Sequence, residues 1–250
     1  MSVQFRVVIP ARYDSSRLPG KPLLTFDNKT IIEHVYVNAC ASEAASVLIA
    51  TDDERIADVA ARFGAEVCMT GKQHMSGTDR LAEAVKIQGW NEDEIIVNVQ
   101  GDEPQMPADN ISQVAEILSG ATKASVATLC YRLSSIEDYY DSNVVKVVMN
   151  KEKFAVYFSR SPIPYLKEVN PKVLQSSEVF RHVGIYAYRV RYLQEFVSRE
   201  QTPLEKIERL EQLRAIECGD HIIIDECNEM PGVGVDTMQD YHRLKTTVRQ

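Results

Sequence analysis

The sequence predicts an α/β fold: a mostly parallel sheet with helices on both faces and a mixed-sheet insertion lobe in the second half. Two observations carry this. Short apolar runs at 5–9, 47–50, 65–69 and 95–99 alternate with stretches of helical period. The runs are also nearly continuous rather than alternating, the pattern of strands buried on both faces. At 250 residues and 44% apolar content the chain can bury a full core, so a single domain is expected. Its parts are 1–132, where the alternation is regular, a mixed-sheet lobe at 133–200, and closing helices with a Gly-rich loop at 201–250.

The elements follow in order. The first strand ends at Pro10. Asp27-Asn28-Lys29 is a turn, and Thr30 with Glu33 makes a capping box for a helix whose buried stripe is Ile31, Val35 and Ala39. After the 47–50 strand, a helix over 54–63 stops at Gly64. Ser76 or Thr78 can cap a helix running over 79–88. The 95–99 strand leads to Gln100-Gly101-Asp102-Glu103-Pro104, then a helix (109–118) and a strand (124–131). Beyond it, 144–149, 156–159 and 183–188 read as strands without regular helices between them, and three prolines (162, 164, 171) punctuate the linking stretch. Thr202, Pro203 and Glu205 open one long helix with Leu204, Ile207, Leu210, Leu213 and Ile216 on a single face. A strand at 221–224, the Gly-rich 232–237 loop and a helix over 238–248 finish the chain. Tyr131, Tyr139 and Tyr140 read as packing residues.

Bulk properties exclude several classes. The net charge of −8 disfavours a general nucleic-acid binder. Five scattered cysteines form no C-x-x-C pair, which argues against a disulfide framework or a zinc site. No stretch approaches the roughly 18 apolar residues of a membrane span, and the N-terminus shows no signal core, so a cytoplasmic protein without membrane attachment is expected.

Against that acidic background the loop after the first strand stands out. Between Pro10 and Pro22 it carries Arg12, Arg17 and Lys21, with Ser15, Ser16 and Gly20. Guanidinium forks and an ammonium are natural partners of phosphate, and loops placed by buried strands commonly hold sites. A phosphate cradle is the reading, with a solvated basic turn as the alternative. The glycine patterns of P-loop and dinucleotide folds are absent. Ligands of parallel sheets bind at strand carboxyl ends, and the loops after Pro10, at Thr51, after Thr70 and after Gln100 all lie there. Asp102 and Asp236 are candidate Mg²⁺ ligands for phosphoryl or nucleotidyl transfer, the alternatives being a turn residue and the N-cap of the last helix. For His182 the alternative is a hydrogen-bonded core histidine, for Arg160 a surface salt bridge, and for Glu211 and Gln212 a solvated helix face.

Nine motifs in order carry a resemblance. They are Ile9-Pro10-Ala11-Arg12-Tyr13 with Ser16-Arg17-Leu18-Pro19-Gly20-Lys21-Pro22, Ala50-Thr51-Asp52-Asp53, Ser76-Gly77-Thr78-Asp79-Arg80, Val97-Asn98-Val99-Gln100-Gly101-Asp102-Glu103-Pro104, Val145-Lys146-Val147-Val148, Tyr157-Phe158-Ser159-Arg160, Arg181-His182-Val183-Gly184-Ile185-Tyr186, Leu210-Glu211-Gln212-Leu213-Arg214 and Pro231-Gly232-Val233-Gly234-Val235-Asp236-Thr237. Together the chain resembles the 3-deoxy-manno-octulosonate cytidylyltransferases, the CMP-Kdo synthetases. The resemblance implies a Rossmann-like, glycosyltransferase-A-like fold, a homodimer, and Mg²⁺-dependent transfer of CMP from CTP to the anomeric hydroxyl of Kdo, with release of diphosphate, in lipopolysaccharide synthesis. It implies that Arg12, Ser15 or Ser16, Arg17 and Lys21 hold the CTP triphosphate, with Pro10 and Ala11 also at the nucleotide, and that Arg12, Arg17, Lys21 and Asp102 are the catalytic set. Ser76, Gly77, Thr78, Arg80 and Gln100 would face the cytidine, and Asp102 and Asp236 the metal. Arg160, His182, Tyr186, Glu211 and Gln212 would meet the sugar acid. Asp79 stands where the family has Glu, and Ser161-Pro162-Ile163-Pro164-Tyr165 replaces the usual A-T-I-P-W, so an 8-amino relative of Kdo is an alternative acceptor. An acylneuraminate enzyme would carry an R-G-G-S-K-type first loop, which is not found here. A non-catalytic nucleotide-binding homologue would not be expected to retain Lys21, Asp102 and Asp236.

Overall fold

The computed structural model describes residues 3–15 and 17–247. Its main sheet has nine strands. Seven run in the order β11 (Ile222–Glu226), β7 (Val126–Arg132), β10 (Phe180–Arg189), β6 (Ile95–Asn98), β1 (Phe5–Ala11), β4 (Ser46–Thr51), β5 (Glu66–Met69). All neighbours pair in parallel except β10, which is antiparallel to both β6 and β7. The mixed lobe grows from β10: β8 (Lys146–Met149) pairs with it and with β9 (Ala155–Ser159), both antiparallel. A two-stranded ribbon, β2 (Thr25–Phe26) and β3 (Lys29–Thr30), lies apart.

Both faces of the sheet are covered. On one face Val7, Ile9, Ile49 and Val97 pack under α1 (Ile31–Cys40), α2 (Glu54–Arg62) and α4 (Ala108–Gly120) through Ile32, Val35, Ile56, Ile111 and Val114. On the other, Val8, Leu48, Ala50 and Ile96 meet α3 (Gly77–Gln88), α7 (Val190–Ser198) and α9 (Leu213–Glu217) through Leu81, Val85, Leu193, Phe196 and Leu213. Strand side chains alternate between two dry layers, which is why the strands read as continuous apolar runs. A smaller cluster decides the site. Leu18, Phe26 and Ile31 bury against Val235, Tyr241 and Leu244, folding α10 (Met238–Thr247) back onto the first loop.

The second half departs from expectation. The single helix expected from Thr202 is two helices, α8 (Pro203–Glu208) and α9, broken at Arg209, whose φ of 54° is left-handed. The break turns Ile207 outward, 77% exposed, although its spacing puts it on the apolar stripe. The link between strands also holds a short helix, α6 (Pro171–Ser176), and α5 (Ile136–Tyr140) and α7 add two that periodicity did not mark. Tyr139 is buried; Tyr140 is 58% exposed and packs only edge-on against it, ring centroids 5.2 Å apart. The end of the expected last helix, Val248, lies outside the described residues.

Candidate functional site

Two crossings at the carboxyl end of the sheet build the site. β1 and β6 end side by side, and Gly101 just beyond β6 has no room for a side chain: a Cβ there would lie 2.8 Å from the Pro10 carbonyl oxygen. Glycine therefore lets Asp102 rise directly beside the first loop. That loop is closed by the Gly20 N–H donating to the Tyr13 carbonyl at 2.9 Å, with Gly20 at φ 70° against the Tyr13 ring. It ends in a single 3₁₀ turn, Lys21–Leu23, which aims the Lys21 side chain inward at 10% exposure. The second crossing brings in the Gly-rich loop: the Val235 N–H donates to the Asp102 carbonyl at 2.8 Å, so Asp236 lands next to Asp102.

The result is a charge cluster. The Lys21 ammonium donates to Asp102 Oδ2 at 2.5 Å and to Asp236 Oδ1 at 3.2 Å, and Arg17 lies 3.0 Å from the same Asp236 oxygen. Asp236 is not the cap of α10. Thr237 and Asp240 make that cap between them, the Asp240 N–H donating to the Thr237 hydroxyl and the Thr237 N–H to Asp240, which leaves Asp236 to the cleft. Glu103 is an acid that sequence reasoning passed over. Burial, with Asp102 and Asp236 adding repulsion, pushes its carboxyl up to about 8.

Around this cluster lies a cavity of about 240 Å³. Pro10, Ala11, Arg12, Ser15, Arg17 and Lys21 line one wall, Ser76, Gly77, Arg80 and Gln100 another, and Asp102 and Asp236 the floor. Ser16 lies outside the described residues. Ser76 is the cap of α3: the Asp79 N–H donates to its hydroxyl and its own N–H to Asp79, both at 3.1 Å. This closes the capping box with Asp in the Glu position and presents the N-terminus of α3, a favourable end for anions. Arg80 is 3% exposed and held by Asp52 and Thr70, so one edge of it faces the cavity while its guanidinium is fixed from behind. His74 and Met75, unmarked in the sequence, also line the cavity; their position just before Ser76 was the available signal.

Thr78 lies off the cavity. It is 4% exposed and donates its hydroxyl to Glu211 Oε2 at 2.5 Å. Beyond that bond lies a second, water-sized cavity of about 10 Å³, lined by Tyr186, Glu211 and Gln212 together with Tyr188 and Phe196. Burial raises the Glu211 carboxyl above its ordinary range, opposed by hydrogen bonds from Thr78 and Ser76. Glu211 thus joins the α3 N-terminus to the second cavity.

His182 stands beside Tyr186, its ring 5.4 Å from the tyrosine and 5.1 Å from Phe158. Thr128 fills the bulge of β10 and donates its only O–H to the Ile185 carbonyl at 2.7 Å, so at 2.9 Å it accepts from His182 Nε2–H. That assigns the Nε2–H tautomer and leaves Nδ1 as an acceptor. Burial, with Arg181 adding repulsion, pushes the ring down to about 3, so it is neutral near pH 7. The unfolded chain takes up this proton first, near pH 6.5, and acidification then favours unfolding. The part of the stability that depends on neutral His182 is complete above about 6.5 and falls by up to ~1.4 kcal/mol per pH unit below it. Urea unfolding at roughly pH 7 and 5.5 is expected to show the wild type losing about 1 kcal/mol relative to His182→Gln over that interval. Equal pH dependence in both would rule out a buried neutral ring.

Arg160 is not in either cavity wall. Its guanidinium donates to the carbonyls of Glu208, Ser142 and Arg209. It is therefore engaged with backbone rather than with a carboxylate, and the surface salt-bridge alternative does not describe it.

A family model described as Cytidylyltransferase matches residues 6–222. A protein of Thioalkalivibrio sulfidiphilus named 3-deoxy-manno-octulosonate cytidylyltransferase is 48% identical over 249 residues, covering 99% of this chain and 100% of that one. The chain belongs to the 3-deoxy-manno-octulosonate cytidylyltransferase family. Another protein of that name, from Alteromonas mediterranea, is 47% identical over 98% of this chain and 100% of its own. Among solved structures, a CMP:2-keto-3-deoxy-manno-octonic acid synthetase complexed with CTP superposes with a TM-score of 0.89 at 40% identity, over 100% of this chain and 99% of that one. The family's nucleotidyltransferase fold is the mostly parallel sheet described above, with its mixed lobe.

Proposed function

We propose that the protein transfers CMP from CTP to Kdo. The observation that carries this reading is the cluster of Lys21, Asp102 and Asp236 at the floor of a cavity whose walls bring Arg12 and Arg17 opposite the N-terminus of α3. The anomeric hydroxyl oxygen of Kdo attacks the α-phosphorus of CTP. The bond from that phosphorus to the bridging oxygen breaks, diphosphate leaves with the bonding electron pair, and the hydroxyl proton passes to water. Charge grows on the phosphoryl oxygens and the leaving group. Lys21 stabilises it from a position fixed by Asp102 and Asp236, and Arg12 and Arg17 add charge from the cavity wall. The capped start of α3 and Gln100 hold the nucleoside end. On this reading a polyhydroxy acid opens the water-sized cavity across the Thr78–Glu211 bond and meets Tyr186, Gln212 and Glu211 there, with the Nδ1 of His182 beside Tyr186 as a further acceptor.

The donor set at the floor fits Mg²⁺: two carboxylates, with phosphate oxygens and water completing the shell. Among the described residues no group of three or more His, Cys, Asp or Glu could hold a metal by itself, so the substrate would supply part of that shell. When bound, Mg²⁺ would neutralise phosphate charge beside Lys21. Asp102→Asn is expected to abolish Mg²⁺-dependent turnover and also the extra thermal stabilisation that Mg²⁺ plus CTP confer over CTP alone. Retention of either would remove Asp102 from a metal site.

The same reading includes a homodimer and a cytoplasmic location. Supporting the first, exposed Tyr140 and Tyr165 flank Tyr139 on the lobe and leave apolar surface there. Supporting the second, no helix among the described residues is long and apolar enough to cross a membrane. Diphosphate release from CTP with Kdo, 8-amino-Kdo and sialic acid tests the activity. Release with Kdo is expected, and none with any of them would leave a nucleotide-binding protein.

A further inference from the structure

Lys146, in the Val145-Lys146-Val147-Val148 motif, has no part in the reaction described above, yet it is among the largest fully buried side chains of the described residues, at 0% exposure. Its ammonium donates to three backbone carbonyls: Val144 at 2.6 Å, Arg160 at 2.7 Å and Asp141 at 2.8 Å. An ammonium has three donors, so all are used. None of the three acceptors carries a charge to offset the cost of burial. Burying an ammonium is expensive, and an apolar side chain of similar volume commonly packs as well or better. Desolvation accordingly pulls the lysine down from its ordinary range. What the charge does that an apolar side chain cannot is draw three carbonyls from two separate segments to one point.

The geometry continues from there. Arg160, whose carbonyl Lys146 holds, donates from its guanidinium to the carbonyls of Ser142 at 3.0 Å, Glu208 at 2.8 Å and Arg209 at 3.4 Å. The Glu208 carboxylate accepts the Arg160 backbone N–H at 2.9 Å and the Ser159 hydroxyl at 2.6 Å. Arg209 is the left-handed residue at which the helix breaks, and Glu211 and Gln212 follow it into the second cavity. The next residue on the other side of β8 is also tied in, since the His182 N–H donates to the Val145 carbonyl at 2.8 Å.

We propose that Lys146 is a positioning residue for the acceptor half of the site: its ammonium anchors Arg160, and Arg160 anchors the Glu208–Arg209 break that presents Glu211 and Gln212. This rests on the reading of the second cavity as the sugar-acid side. Lys146→Met keeps length and removes the charge. It is expected to raise KM for the sugar acid at least ~10-fold and to lower kcat/KM for that substrate by about 10², the cost of a small misplacement. KM for CTP and CTP affinity by calorimetry are expected to stay within about twofold, because the CTP cavity lies on the other side of the Thr78–Glu211 bond. Glu208→Gln, which keeps shape at the far end of the network, is expected to show the same split.

If Lys146→Met melts at a lower temperature but keeps both KM values, Lys146 is only structural and the proposal is overturned. If it does not fold, Glu208→Gln decides, and an unchanged sugar-acid KM there overturns the proposal. Failure of the functional reading would show first in the wild type. Should the wild type use another sugar acid, the split is read on that acid. Should it use none, the proposal falls with the reading.

Discussion

Lys21→Met is expected to lower kcat by roughly 10²–10³, with the fold retained. The reasoning starts from geometry. Lys21 is reached from three directions: by the first loop that carries it, by Asp102 beyond β6, and by Asp236 from the Gly-rich loop. Among the described residues its ammonium is the one cation within hydrogen-bond distance of both carboxylates. Methionine keeps the aliphatic stem and removes the charge. Asp102 then loses its ammonium partner and Asp236 keeps only Arg17, so phosphate loses an attractive partner and meets more negative charge at the floor. A fixed cation at the site of developing charge is worth far more than one in water, because no reorganisation is needed as the reaction proceeds. The measurement is single-turnover diphosphate release at saturating CTP, with circular dichroism to confirm the fold. Turnover near the wild-type rate would remove Lys21 from the chemistry.

Arg214→Met is expected to destabilise the protein by about 3–5 kcal/mol. Arg214 and Glu205 are both nearly inaccessible, at 5% and 4% exposure. Their contact is bidentate, Nε to Oε2 at 2.8 Å and an Nη to Oε1 at 2.6 Å, and a further Nη–H donates to the Phe196 carbonyl. Hydrogen bonding to Glu205 strengthens the arginine's hold on its proton against the opposing effect of burial. Removing one partner strands a buried carboxylate, which costs far more than the pair itself contributes. Replacing both together, with Glu205→Leu added, is expected to recover much of the loss. Urea unfolding of the single and double variants distinguishes the two cases. A single variant within 1 kcal/mol of wild type would mean that water reaches Glu205. Because this pair pins α8 to α9 across the Arg209 break, its loss is also expected to loosen Glu211.

The first half of the chain was legible because its signals are local. A capping residue, a helical stripe and a C′ glycine each act over a few residues, and Thr30, Ser76 and Gly64 stand where those rules put them. The helices such signals predict over 54–63 and 79–88 are found at 54–62 and 77–88, the second starting two residues earlier because Ser76 rather than Thr78 is its cap. The second half was less legible because long-range contacts overrode the local ones. The stripe of Leu204, Ile207, Leu210, Leu213 and Ile216 has an unbroken helical period. The chain breaks it at Arg209, where the carbonyls of Glu208 and Arg209 accept from Arg160, nearly 50 residues earlier. Helix α7 follows β10 directly without an N-cap side chain, so no start signal marked it.

By itself the sequence determined the architecture, the strand-end loops and the kinds of charge they carry. Those follow from hydrophobic period and from the chemistry of arginine, lysine and aspartate at turns, which need no knowledge of distant partners. Only the tertiary structure decided which charges meet. Asp236 reaches Lys21 because Leu18, Val235, Tyr241 and Leu244 bury one another. Arg160 faces carbonyls rather than either cavity because Lys146 and Glu208 hold it there. A side chain's residue type is local, but its direction is set by whatever packs around it, and that packing joins segments far apart in the chain.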